Sequence, residues 1–194
     1  KENKKCFPID FLLNLEKENH ETNTNDKNII NGKITGTGTS INNGTLDISA
    51  NNLDLALTNN STLNLGEGTL NKAITGTTGT TNINGEVTSN ASISNEIVIN
   101  NNNSLKIAAG NVGGNITNEA GTLNLGTGTL NKLISGAGTT EIVGNVTSTA
   151  SILNKIIVDG SLTIGANNIG DEISNAGPVN LREGTLSKSI SGNG

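Results

Sequence analysis

Short aliphatic–polar–aliphatic triplets recur along most of the chain: Leu46-Asp47-Ile48, Leu63-Asn64-Leu65, Leu105-Lys106-Ile107, Leu123-Asn124-Leu125, Leu162-Thr163-Ile164 and Val179-Asn180-Leu181. Alternation with a period of two marks a strand with one buried face. Runs this short, bounded by Gly and Asn, exclude helices. The last residue of each triplet serves as an anchor, and Ile83 and Ile142 extend the series to Ile48, Leu65, Ile83, Ile107, Leu125, Ile142, Ile164 and Leu181. The anchors are nearly evenly spaced, except that the steps from Ile83 to Ile107 and from Ile142 to Ile164 are longer. In the six full copies, further aliphatics stand five and nine places after the anchor, such as Leu130 and Ile134 after Leu125. A hydroxyl follows: Thr58, Thr75, Thr117, Ser135, Ser174 or Ser191. Next comes Asn or Gly: Asn59, Gly76, Asn118, Gly136, Asn175 and Gly192. These two residue types enter left-handed backbone at least cost, so a fixed turn is expected at all six positions.

A short repeat built from small strands and fixed turns predicts one coil of a parallel β-solenoid. The expected fold is all-β, with about eight coils of about 20 residues and strands stacked about 4.8 Å apart. Right-handed winding is expected by analogy with other β-helices. Ile48, Leu65, Ile107, Leu125, Ile164 and Leu181 are expected to form the core ladder. A longer period overlies the coils. STLNLGEGTLNKAITG at 61–76 returns as GTLNLGTGTLNKLISG at 121–136, and again in part from residue 178. Each long unit reads as three coils with a longer middle one. Asn100–Asn103 stands where the next unit has Asp159-Gly160, which places that loop at a corner.

The repeat region spans residues 29–194. Residues 1–28 depart from it and read as an N-terminal cap or linker. Within them the apolar stretch from Cys6 to Leu15 suits a short amphipathic helix or an irregular cap over the first coil, because open solenoid ends expose strand edges. Residues 17–28 are polar and read as a loop. The pattern stops in mid-repeat at SISGNG, so the repeat is expected to continue in the natural protein.

Composition narrows the chemistry. Trp, Tyr and Met are absent and Phe occurs twice, as Phe7 and Phe11, so the core must be thin and aliphatic. The net charge of −5, with scattered basic residues and no aromatic platforms, excludes nucleic acid as an expected partner. Two Phe, both within the first 11 residues, cannot form the aromatic girdles of a membrane β-barrel. The single Cys6 and the single His20 leave no disulfide, no Cys/His metal set and no Ser–His–Asp constellation. No cofactor is expected.

A polysaccharide lyase or hydrolase on a β-helix is the alternative class. It would need clustered carboxylates on one face. Glu67 and Glu183 occupy equivalent positions, but Ala109, Thr127 and Ala166 stand between them, and Asp171-Glu172 is the only adjacent acidic pair in the repeats. The chain is therefore read as non-enzymatic. Ice binding would need two threonine columns side by side, and the regular hydroxyl column is one residue wide.

Coils such as AITGTTGTTNINGEVTSNASI and LISGAGTTEIVGNVTSTASI resemble the passenger regions of rickettsial surface-antigen autotransporters of the outer-membrane protein A and B type. The resemblance covers about residues 29–194 and lies in texture and repeat style. It implies an extracellular β-helical rod on the bacterial outer membrane, with an adhesive or surface-layer role. The partners it implies are a host-cell receptor or neighbouring surface proteins. Self-association through the solenoid ends is also open.

Overall fold

The computed structural model describes residues 20–22 and 27–194. The segment from Cys6 to Leu15, with the cap expected there, lies outside the described residues. Those described form 23 short strands and three 3-10 turns, at Ala50–Asn52, Ala109–Asn111 and Ala166–Asn168. Every strand pairing is parallel, and partners lie one coil apart in the chain. The fold is a β-solenoid of about ten coils.

The chain visits three walls in a fixed cyclic order. Wall 1 is the sheet containing Lys27–Ile30, Thr45–Ser49, Thr62–Gly66, Thr80–Ile83, Glu96–Ile99, Ile116–Asn118 and Ile134–Ser135. Wall 2 contains Gly68–Leu70, Glu86–Ser89, Ser104–Ala108, Thr122–Gly126, Thr139–Ile142, Lys155–Val158, Ile173–Asn175 and Ile190–Gly192. Wall 3 comes in two parts. The lower sheet holds His20–Thr22, Ile34–Asn42, Leu53–Asn59 and Ile74–Thr75, and the upper holds Gly128–Leu130, Asn145–Ser148, Ser161–Gly165 and Val179–Arg182. Single bridges from Ile74 to Ile93 and from Ile93 to Val112 carry the wall across the gap.

The interior is a stack of aliphatic rungs. On wall 1, Leu46, Leu63, Ile97, Ile116 and Ile134 are buried in one column, and Thr81 sits among them. Each such side chain contributes about 1.5–3 kcal/mol by leaving water. Alternation puts the intervening residues outside, so a strand such as Thr62–Gly66 is buried only at Leu63 and Leu65. Coil-on-coil stacking also satisfies the backbone. Strands inside a wall bond to the coil below and the coil above, which a lone coil could not achieve.

Three expectations need correction. The anchors do not form one ladder. Ile48 and Leu65 stack on wall 1, Ile107 and Leu125 on wall 2, and Ile164 and Leu181 on wall 3. The long steps from Ile83 to Ile107 and from Ile142 to Ile164 are not long coils but one coil plus one wall. The strands Glu96–Ile99 and Lys155–Val158 supply the missing rungs, Ile83 pairing with Ile99 and Ile142 with Val158. With these rungs restored, wall 1 climbs in nearly even steps from Ile48 through Leu65, Ile83 and Ile99 to Asn118. This is why there are about ten coils rather than eight. Finally, Lys27–Ile30 already pairs with Thr45–Ile48, and His20–Thr22 pairs with Ser40–Asn42, so strands occur within the stretch read as a polar loop.

Candidate functional site

The predicted core residues Ile48, Leu65, Ile107, Leu125 and Ile164 are all buried, whereas Leu181 is 42% exposed. Leu181 lies on the last described coil, where a rung has a neighbour on one side only. Residues 180–194 are exposed throughout except for Leu186.

The six predicted turn residues form three vertical pairs at the corners: Asn59 beneath Gly76, Asn118 beneath Gly136, and Asn175 beneath Gly192. The two residue types do different jobs there. Gly76, Gly136 and Gly192 have φ of 107°, 102° and 132°, the conformation that favours glycine. None of the three asparagines has a positive φ; among the described residues other than glycine only Asn102, in the corner loop 100–103, does, at 63°. Asn59 and Asn118 instead turn their amides inward and are fully buried. Asn118 donates from Nδ2 to the Thr139 carbonyl at 3.0 Å and accepts from the Gly121 amide at 3.0 Å. Asn59 donates to the Thr80 carbonyl at 3.0 Å and accepts from Asn42 at 2.8 Å. Asn175 donates to the Gly177 and Gly194 carbonyls, both at 3.2 Å. The amide thus ties each corner to the coil above. The hydroxyls beside these pairs bond vertically as well: Ser135 donates to the Ile116 carbonyl and Ser191 to the Ile173 carbonyl, each at 3.4 Å.

Two buried polar pairs were not anticipated. Thr81 and Thr140 face the core, and their hydroxyls bond Asn95 and Asn154 at 2.9 Å. The Nδ2 atoms of both asparagines are buried without a partner. The signal was present: Ile83 and Ile142 are the two anchors with Thr two places before them, where the other six have an aliphatic. A lone Thr81→Val leaves the Asn95 carbonyl oxygen unpaired too, at an expected cost of about 1–3 kcal/mol. Thr81→Val combined with Asn95→Leu removes both partners and is expected to recover most of that loss in urea unfolding.

Outside, the walls are largely uncharged. An amide ladder climbs wall 1, with Asn64 donating to Asp47 at 2.5 Å and Asn82 to Asn64 at 2.9 Å. Asp47 also pairs with Lys27 at 2.8 Å, and Lys155 with Glu172 at 3.2 Å. The hydrogen bond and charge of Lys33, 2.7 Å away, hold the Asp54 carboxyl below its ordinary range, with Lys72 adding at 4.0 Å. Glu67 follows a wall 1 strand and Glu183 a wall 3 strand, so they occupy different corners. Among the described residues no cluster of three His, Cys, Asp or Glu side chains could hold a metal ion.

Two shallow grooves mark the surface. One, of about 340 Å³, is lined by Ile29, Asp47, Asn52, Asn64 and Gly66. The other, of about 310 Å³, is lined by Thr88, Asn90, Lys106, Asn111 and Gly126. No helix among the described residues is long and apolar enough to cross a membrane. No protein-family model, curated protein or solved structure matches the chain.

Proposed function

We propose that the chain is a non-catalytic, adhesive segment of a bacterial cell-surface protein of the autotransporter-passenger kind. Its stacked coils form a rod that carries polar faces outward. The observation that supports this reading best is the placement of the repeated phrase on all three walls: Thr62–Gly66 on wall 1, Thr122–Gly126 on wall 2 and Val179–Arg182 on wall 3. A surface that repeats around as well as along the rod suits many weak contacts with a host-cell surface or with neighbouring surface proteins, where avidity multiplies modest affinities. An enzyme would concentrate its unusual residues on one wall.

The test is attachment. Beads coated with the purified chain are expected to adhere to cultured cells more than beads coated with albumin, and soluble chain should compete. Intact bacteria producing the natural protein should be labelled by antibody raised against the chain. Adhesion equal to albumin, or labelling only after lysis, would remove this reading.

A further inference from the structure

The two grooves are the same feature repeated. Residues 29, 31, 47, 49 and 52 of the first correspond in order, at one constant offset, to 88, 90, 106, 108 and 111 of the second. Each groove lies beside a 3-10 turn whose last asparagine reaches a carbonyl of the coil below. Asn52 donates to the Asn31 carbonyl at 3.2 Å and Asn111 to the Asn90 carbonyl at 3.4 Å. The third long unit keeps this bond, from Asn168 to the Thr149 carbonyl at 3.4 Å.

The glycines on the upper edge are informative. Gly66 and Gly126 lack the positive φ of Gly128 or Gly136. A Cβ added at Gly66 would come no nearer than 3.6 Å to Ser49 Cα, and one at Gly126 no nearer than 3.5 Å to Ala108 Cα. Neither backbone conformation nor packing calls for glycine there. Its effect is to leave the groove open. In the third unit the same place is taken by Arg182, above Gly165.

The residue at the middle of the groove changes from copy to copy. Asp47 is neutralised by Lys27, and Thr163 is uncharged. Lys106 is exposed and makes no ion pair within 4.0 Å among the described residues. Around it stand the Thr88 hydroxyl and the Asn90 and Asn111 side chains, with Asn90 Nδ2 already given to Asn71 at 2.8 Å. The strands beneath are paired on both edges, Glu86–Ser89 with Ser104–Ala108, and these with Thr122–Gly126. An extended peptide therefore finds no free backbone to pair with, and a ligand must be held by side chains.

We propose that the wall 2 groove binds an acidic saccharide unit, its carboxylate on Lys106 and its hydroxyls on Thr88, Asn90 and Asn111. The proposal rests on the adhesive reading and names its ligand class. The volume of about 310 Å³ matches the small end of ligand sites and suits one or two sugar rings.

The test uses the full chain, with trigalacturonate and neutral galactotriose titrated at one ionic strength and followed by amide NMR shifts. Trigalacturonate should shift residues 88–90, 106–111 and 126, and galactotriose should bind about tenfold more weakly or worse, the worth of a hydrogen bond to a charged group. Lys106→Gln should lose a similar factor and Lys106→Arg should retain binding. Gly126→Thr should abolish the shifts with an unchanged melting temperature. No shifts with trigalacturonate, shifts that follow Lys132 or Lys155 instead, or undiminished binding by Gly126→Thr would each overturn the site. Bead adhesion, run in parallel with the same variants, separates the two readings. Adhesion that ignores Gly126→Thr and trigalacturonate competition refutes the groove alone. Groove binding without bead adhesion refutes the adhesive role alone.

Discussion

Replacing Gly136 with alanine should be among the most costly single methyls added to a corner of the middle coils. Two penalties coincide there. Gly136 has a φ of 102°, where a Cβ brings strain of about 1–3 kcal/mol. The added Cβ would also lie 2.1 Å from the Asn118 carbonyl oxygen, a backbone atom of the coil below that has no freedom to move aside. The corner that Asn118 ties together should open, exposing the amides of Gly121 and Thr139 to exchange. Gly126→Ala is the matched control, since its Cβ meets nothing nearer than 3.5 Å. Urea unfolding and hydrogen exchange of the pair should separate them clearly. Equal midpoints would show that the coils slide past each other more freely than the corner geometry allows.

The second large effect follows from the position of Leu125. It is fully buried between Ile107 below and Ile142 above. Leu125→Ala is expected to lose about 2–5 kcal/mol, because rungs above and below are held by their own backbone bonds and cannot collapse into the hole. Leu181 has the same place in the repeated phrase but is 42% exposed, so Leu181→Ala should cost below about 1 kcal/mol. A ladder of equivalent anchors would predict equal losses. The inequality, read from denaturation midpoints, tests the coil order directly.

Much of this architecture was legible in the residues. Leu123-Asn124-Leu125 announces a one-sided strand, and its recurrence at a short period with fixed turns points to stacked coils. What the text could not reveal was where each strand sits around the axis. A corner consumes a variable number of residues, and nothing in Asn100–Asn103 says whether the chain has completed a turn or only rounded an edge. Spacing alone therefore merged Glu96–Ile99 and Lys155–Val158 into their neighbours. At the turns, residue type pointed to the right places for a partly wrong reason. Gly136 is there for its backbone, and Asn118 for its buried amide, which only the neighbouring coil makes visible. The grooves were hidden for a related cause: their residues come from four coils in one and three in the other, and no local motif unites them.

The long unit contains three coils and one further wall, so it is not a whole number of turns. Cutting the gene at Thr62 and rejoining it at Thr122 would lay the same phrase, strand for strand, on Thr45–Ser49. The rod would shorten without a seam, yet everything beyond the splice would swing round by a third of a revolution. Gain or loss of one unit by recombination would thus act like a notch on a dial, presenting a different side of the distal rod to whatever it faces while leaving its folding intact.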